Sequence, residues 1–183
     1  MKRFLKVLTV VVFVCALAVS ASAKVKVKVD GKTLSSSGTY LGAKGMGIGL
    51  QGGLNNGLVF KSWIDKESAL QFDANFGIGW GGGIGVGAAY LIHNFGIIEM
   101  TNSKLPLYFG IKGGASFFGT GYYSSGGIAL SVQVPLGIAW IPKDYPIDIF
   151  AQFEPGLAIL FYGNYSYFGW GPGGSAGIRY WFN

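Results

Sequence analysis

Residues 128–140 of this chain, IALSVQVPLGIAW, carry a large apolar side chain at every second position. An alternation with a period of two is the pattern of a β-strand, in which neighbouring side chains point to opposite faces. The run is longer than the ~5 to 6 residues usual in soluble strands, and it suits a tilted membrane crossing of about 9 to 11 residues. The pattern therefore predicts a strand whose two faces meet different surroundings.

The first 23 residues predict a cleaved secretory signal. Basic residues precede an apolar stretch over positions 7–19, and small residues lead to a cleavage site after Ala23. A membrane anchor is the alternative, but this stretch is shorter than the ~20 apolar residues that a spanning helix needs. The only cysteine, Cys15, lies within the signal, so we expect no disulfide and no cysteine-bound metal in the mature chain.

Residues 24–38 alternate lysine with valine, then become serine-rich, and carry the basic excess of the mature chain. We interpret them as a solvated periplasmic lead; an additional strand, in a barrel of up to about ten strands, is the alternative. From Thr33 onward the acidic and basic residues are equal in number. The net charge of +6 in the whole chain therefore does not indicate a nucleic-acid surface.

The composition suits a membrane protein, since 50% of the residues are hydrophobic and only 12% are charged. The mature chain has no apolar run long enough for a spanning helix, and only helices and closed barrels satisfy their backbone hydrogen bonds in lipid. We therefore predict an all-β fold over residues 39–183, an eight-stranded antiparallel up-and-down transmembrane β-barrel with both chain ends on the periplasmic side. The predicted strands cover residues 42–52, 58–64, 69–80, 84–93, 107–117, 128–140, 147–161 and 176–182.

Charged and amide side chains recur on the strand face opposite the apolar one. A cation on the lipid face at the bilayer midplane costs about 2 to 4 kcal/mol, whereas a polar lumen holds it at little cost. We therefore expect the polar face to point inward with its charges paired, Arg179 beside Asp148. We interpret this interior as a hydrogen-bonded plug, and an ion-conducting path is the alternative. The predicted lumen-facing residues are Lys44, Lys61, Asp73, Asn75, Lys112, Gln133, Asp148, Gln152, Glu154 and Arg179.

Residues 47–52, GIGLQG, match the spacing of the dinucleotide-binding fingerprint, but no helix pattern follows them. In a barrel of eight strands such glycines leave room inside for larger side chains. A lipid-ester hydrolase would need a serine, a histidine and a carboxylate together, and the single histidine, His93, is expected inside the periplasmic end as a plug residue. We predict no enzymatic activity, no cofactor and no metal site, with a lipid-modifying enzyme as the less favoured alternative.

Two predicted outer loops, at 119–127 and 162–173, contain more aromatic residues than a girdle at the membrane interface requires. Because tyrosine and tryptophan are favoured contact residues, these side chains predict a surface for an extracellular ligand. A cover folded over the barrel mouth is the alternative. The residues are Tyr122, Tyr123, Tyr165, Tyr167 and Trp170.

Several stretches of the chain resemble a family of small bacterial outer-membrane β-barrel proteins, similar in build to the membrane domain of outer membrane protein A. They are YLIHNFGIIEM (90–100), KLPLYFGIKGG (104–114), VPLGIAW (134–140), YPIDIFAQFEPGLAI (145–159) and GIRYWF (177–182). The resemblance covers most of the mature chain and implies a location in the bacterial outer membrane. Its motifs report architecture and imply no particular activity.

The end of the chain resembles the signal read by the barrel assembly machinery, an aromatic residue preceded by apolar residues at alternate positions. Ile178, Tyr180 and Phe182 fit this pattern, and Asn183 is one residue beyond the usual ending. The resemblance implies the assembly machinery and outer-membrane lipid as partners. We predict a structural or surface-interaction role, and a narrow pore or transporter for small or hydrophobic solutes is the alternative.

Overall fold

The computed structural model describes residues 45–76, 83–98, 103–120 and 124–182. The predicted signal with its cleavage site at Ala23, the lead segment, Lys44, Tyr122 and Tyr123 lie outside these residues. Within the described ranges, no helix is long and apolar enough to cross a membrane.

The described residues form twelve β-strands. They are β1 (Met46–Gly53), β2 (Gly57–Trp63), β3 (Ser68–Phe76), β4 (Gly83–Asn94), β5 (Ser103–Lys104), β6 (Leu107–Thr120), β7 (Ser124–Gln133), β8 (Leu136–Pro142), β9 (Ile147–Glu154), β10 (Gly156–Tyr162), β11 (Tyr165–Trp170) and β12 (Gly173–Phe182).

Eight of these strands form a closed antiparallel ring in the order β1, β2, β3, β4, β6, β8, β9 and β12. The ring closes where β12 pairs with β1, so that Phe182 lies opposite Met46. We call the end with these two residues the lower end and the opposite end the upper end. The prediction of an all-β, eight-stranded antiparallel barrel is confirmed.

The last three strands of the barrel are each divided in two by a proline. Pro135 follows β7, Pro155 follows β9 and Pro172 follows β11, and the pairing register is unchanged across each division. Proline has no N–H group to donate, so the ladder loses a bond there. Its carbonyl still accepts, as when Val134 N donates to Pro155 O at 2.8 Å. The divided pairs therefore act as single long strands.

The upper halves of these strands continue beyond the ring as a sheet, which we call the upper sheet; it contains β7, β10, β11 and the upper part of β6. β1 ends at Gly53, opposite Ser175 of β12, so β11 lies beyond the upper end of β1. Among the described strands, β11 pairs with β10 alone. The β10–β11 hairpin turns at Gly163, whose φ of 56° favours glycine. The prediction of a loop over 162–173 is therefore wrong for residues 165–170, which form β11.

The two faces of the wall differ in chemistry as the alternation predicts. In β9, Asp148, Gln152 and Glu154 point inward and are buried, while Ile149 and Phe153 are exposed. The same outward apolar face continues on the neighbouring strands, where Val132 is 59% and Ile178 46% exposed. The sequence did not indicate which residues of β2 face the interior. In the structure, Lys61 faces inward and Leu58 faces outward.

Inward glycines make room for large side chains on neighbouring strands, as expected for a narrow barrel. A Cβ atom on Gly137 would overlap the Tyr108 ring, and one on Gly177 would lie 2.8 Å from the ring of Phe150. Tyr108 and Phe150 belong to an apolar cluster inside the barrel. Glycine on one strand therefore lets an aromatic ring on the next strand fill the interior.

Candidate functional site

The upper half of the lumen is occupied by a buried group of three charges from three strands. Lys112 Nζ on β6 lies 2.8 Å from Asp73 Oδ2 on β3 and 3.0 Å from Glu154 Oε2 on β9. Both carboxylates and the lysine are almost completely buried. We call these residues the upper charge group; they connect strands that are not neighbours in the sheet.

Amide side chains donate hydrogen bonds to both carboxylate oxygens of Glu154. Gln152 Nε2 donates to Glu154 Oε1 at 2.8 Å, and Asn55 Nδ2 donates to Glu154 Oε2 at 2.7 Å. Tyr108 OH donates in turn to Gln152 Oε1 at 2.9 Å. A carboxylate held by this many donors is fixed in place, which is what a closed interior requires.

A second set of amides closes the space around Asp73. Asn75 Nδ2 donates to Asp73 Oδ1, and Gln51 Nε2 donates to Asn75 Oδ1 at 2.9 Å. Ser175 Oγ donates to Gln51 Oε1 at 3.1 Å, which extends the network onto β12. On the other side, Gln133 Nε2 donates to the carbonyl of Gly171 at 2.9 Å. Hydrogen bonds thus cross the upper lumen in several directions.

Arg179 organises the centre of the lumen. Its Nε donates to Asp148 Oδ1 at 2.8 Å, and its Nη1 donates to Gln71 Oε1 at 2.8 Å. The guanidinium carbon lies 4.0 Å from the centre of the Phe150 ring, within the range of a cation–π contact. Trp181 Nε1 donates to the other oxygen of Asp148 at 3.2 Å. The predicted pairing of Arg179 with Asp148 is confirmed.

Below Arg179, a lysine and the single histidine lie together among aromatic rings. Lys61 Nζ is 2.7 Å from His93 Nε2, and His93 Nδ1 is 3.1 Å from the carbonyl oxygen of Glu67. In a neutral imidazole the carbonyl assigns the proton to Nδ1, so Nε2 accepts from Lys61. The lysine nitrogen also lies 4.9 Å from the ring centres of Trp63 and Tyr108. We call Lys61 and His93 with Arg179, Asp148 and Gln71 the lower charge group.

Most of the predicted lumen residues meet in these two groups. Asn75 is half-buried, and Lys44 lies outside the described residues. The other predicted lumen residues are all buried; they are Lys61, Asp73, Lys112, Gln133, Asp148, Gln152, Glu154 and Arg179. The sequence did not predict that Asn55 reaches Glu154, because Asn55 belongs to a turn and contacts a strand 99 residues away. No local pattern could have indicated that contact.

Both ring nitrogens of His93 are occupied, one by a lysine and one by a backbone carbonyl. Within the described ranges, no group of three or more His, Cys, Asp and Glu residues is placed to hold a metal ion. Among the described residues, the hydrogen-bond partners of the His93 ring do not include a serine hydroxyl. His93 therefore lies in a hydrogen-bonded packing arrangement inside the lower end.

The aromatic side chains of the upper sheet form a second candidate site. Tyr165, Tyr167 and Trp170 on β11 are 81%, 68% and 62% exposed, so they do not pack over the barrel mouth. One edge of β11 carries no partner strand among the described residues. We call β11, the outermost strand of the described sheet, the aromatic edge.

Comparisons of the chain with protein-family models, with curated proteins and with solved structures find no match. The resemblance to small outer-membrane barrel proteins, the assembly signal at Ile178, Tyr180 and Phe182, and the outer-membrane location therefore remain predictions.

Proposed function

We propose that the protein is an integral outer-membrane β-barrel with a closed lumen, which serves as an envelope component and presents the aromatic edge for contact with an extracellular ligand. The observation that carries this proposal is that the charged side chains of the barrel face inward and the apolar side chains face outward. The outward face of the wall strands in the described ranges has no charged residue, while the lumen holds both charge groups. A barrel in water has the opposite arrangement.

The exposed apolar surface is too extensive for a protein that stays in water. Large apolar residues are exposed on strand after strand around the ring, including Ile48, Phe72, Val86, Ile111 and Ile178. Monomeric soluble proteins rarely expose contiguous apolar patches larger than a few hundred Å². Hydrocarbon solvates such a belt, and a cation placed in it costs about 2 to 4 kcal/mol.

The exposed charges in the turns support one orientation in the membrane. Asp65, Lys66, Glu67, Lys143 and Asp144 lie in two of the lower turns, at the end of the barrel where β1 begins and β12 ends. Bacterial barrels have short turns and both chain ends on the periplasmic side. The lower end is therefore assigned to the periplasm, and the upper sheet extends from the outer surface.

A closed lumen favours a structural or contact role over transport. The lumen is crossed by ion pairs and amide hydrogen bonds, and a barrel of eight strands is only wide enough for side chains. Planar bilayers containing the purified protein should therefore stay silent. Steady conductance that changes when Asp73 or Glu154 is neutralised would favour a narrow pore instead.

The aromatic edge supports contact with an extracellular protein. Among the described residues β11 is the outermost strand of the sheet, and an extended segment of a partner can add to such a strand. Residues 156–170 contain no charged side chain and no proline, which are the usual protection of such edges. Tyrosine and tryptophan at its surface supply contact area at low entropic cost.

Site-directed labelling tests the membrane location and the orientation together. The mature chain has no cysteine if the signal is cleaved, so single cysteines at Tyr167 and Lys143 can be labelled against a clean background. In intact cells, a membrane-impermeant maleimide should label Tyr167→Cys and leave Lys143→Cys unlabelled until the cells are lysed. Recovery of the protein from the soluble fraction without detergent, or the reverse labelling order, would contradict the proposal.

A further inference from the structure

The outward apolar face rises higher on one side of the barrel than on the other. Strand β9 begins at Ile147, which lies opposite Tyr180 at the lower end. Its continuation, β10, carries Ile159 and Phe161 on the same outward face. The exposed charged turn at 143–144 comes directly before β9, so contact with hydrocarbon begins no lower than Ile147.

The height of these residues exceeds that of a membrane band. Ile159 and Phe161 are 12 and 14 residues beyond Ile147 in the chain. At about 3.4 Å per residue and a strand tilt of about 35 to 45°, they lie about 30 and about 35 Å above it. The apolar band of a bacterial barrel is about 25 Å tall, so both exposed side chains stand above the hydrocarbon. On the other side of the ring, β1 ends at Gly53, only seven residues from Met46, and stays within the band.

The apolar surface above the band continues across β7 onto β6. Leu130 and Ile128 lie opposite Ile159 and Phe161, and Phe117 lies opposite Ile128. All five side chains are exposed, and each step across the ladder changes the height by only about 3 Å at this tilt. We call these five residues the upper apolar face. Strands β7 and β10 contain no charged residue, and contiguous exposed apolar patches mark interaction sites.

The upper apolar face borders a hollow. Three of the residues that line this hollow, Ile84, Phe117 and Ile128, are outward and exposed, and glycines 83, 126 and 127 complete its wall. Phe161 lies on the other side of Ile128, one strand away. A two-fold axis that passes near β7 therefore places Phe161 of each copy against the hollow of the other, which is the reciprocal contact that a symmetric dimer requires.

We propose that the upper apolar face joins two copies of this chain side by side in the membrane. Copies in one membrane share their orientation and depth, so a two-fold axis along the membrane normal brings this face of each copy together at the same height. A different partner would have to supply an apolar patch at that height, whereas a second copy has one already. The contact buries no charge, so it carries no desolvation cost of that kind. This inference rests on the proposed membrane location.

Cross-linking in cell membranes tests the contact. With the signal cleaved, Leu130→Cys and Phe72→Cys each give a single cysteine, on β7 and on the outward face of β3 across the ring. A short bifunctional maleimide should join two copies through Leu130→Cys and leave Phe72→Cys monomeric. Equal cross-linking of the two variants, or membrane-bound monomers of both, would overturn this inference alone. Recovery from the soluble fraction would overturn the proposed function as well.

A charge placed on either face of the upper sheet gives an independent test. Ile159→Glu brings two like charges together at the contact, so the dissociation constant of the dimer, measured by sedimentation in detergent, should rise at least about tenfold. Tyr167→Glu adds the same charge on the opposite face of the sheet and should leave the dimer unchanged. Both positions lie above the band, so heat-modifiable migration should show a closed barrel in each variant. A dimer that survives Ile159→Glu, or that both variants weaken equally, would refute the contact.

Discussion

Replacement of Lys112 by methionine should be among the most destabilising single changes in this protein. The lysine is 3% exposed and is the only cation within ion-pair distance of Asp73 and Glu154 among the described residues. Its removal leaves two buried carboxylates facing each other. Breaking a buried ion pair by removing one partner costs about 3 to 5 kcal/mol, and here two carboxylates lose the same partner. We therefore expect Lys112→Met to lower the free energy of unfolding by at least about 3 kcal/mol.

The electrostatic origin of this loss can be separated from lost packing. Adding Asp73→Asn and Glu154→Gln to Lys112→Met neutralises the whole upper charge group while keeping its side-chain volumes. Neutral replacement of a buried ion network is often tolerated, so the triple variant should recover most of the lost free energy. Lys66→Met, at an exposed turn position, should change stability by less than about 0.5 kcal/mol.

Equilibrium unfolding in urea, followed by tryptophan fluorescence in detergent or lipid vesicles, gives these free energies. Heat-modifiable migration on gels reports in parallel whether the barrel is closed. A Lys112→Met variant within about 0.5 kcal/mol of the unaltered protein would refute the reasoning. So would a triple variant as unstable as the single one, because the loss would then come from packing and not from charge.

Further predictions concern the interior glycines, the outward face and the lower turn. Gly87→Val should destabilise the barrel, because a Cβ atom at this position would lie 2.7 Å from the Cε atom of the buried Lys112. Gly113→Val should be tolerated, because a Cβ atom there meets no atom within 4 Å. Urea unfolding of the two variants compares their free energies of unfolding. Leu50→Lys, on the outward face in the middle of β1, should cost about 2 to 4 kcal/mol in vesicles, and Leu54→Lys, in an upper turn, should cost almost nothing. The backbone N–H groups of Glu67 and Ser68 donate to the Asp65 carboxylate and lower its pKa. The stability that these bonds give the protein is therefore present above the ordinary carboxyl pKa and is lost as the pH falls through the lowered value. The stability difference between the unaltered protein and Asp65→Asn should therefore shrink on acidification, and a difference independent of pH would contradict this assignment.

The wall of the barrel could be predicted from the sequence because each wall strand has two chemically different faces. In β9 the alternation of Asp148, Gln152 and Glu154 with apolar residues sets both the strand and its phase. In β2 the phase was open, since Val59 and Trp63 on the inner face are as apolar as Leu58 and Phe60 on the outer one. The period-two signal fails where both faces are apolar.

The aromatic edge was missed as a strand for a related reason. In β11, Tyr165 and Tyr167 lie on one face and Phe168 and Trp170 on the other, and all four are exposed. With both faces exposed and aromatic, no contrast distinguishes one face from the other, and the glycines nearby suggest a loop. Only the pairing with β10 shows that the segment continues the sheet.

The contacts across the lumen depend on the glycine content of the wall. Arg179 on β12 reaches Gln71 on β3, although β1 and β2 lie between them in the ring. Gly49 of β1 lies directly opposite Arg179, and a Cβ on it would lie 2.7 Å from Arg179 Cγ. Lys112 likewise extends past Gly87 to reach its carboxylates. A wall with larger inward residues at these positions would have no space for the long cationic side chains, so the lumen could be closed only by apolar packing. The high glycine content and the few, fully buried charges are therefore two parts of one way of filling a narrow barrel.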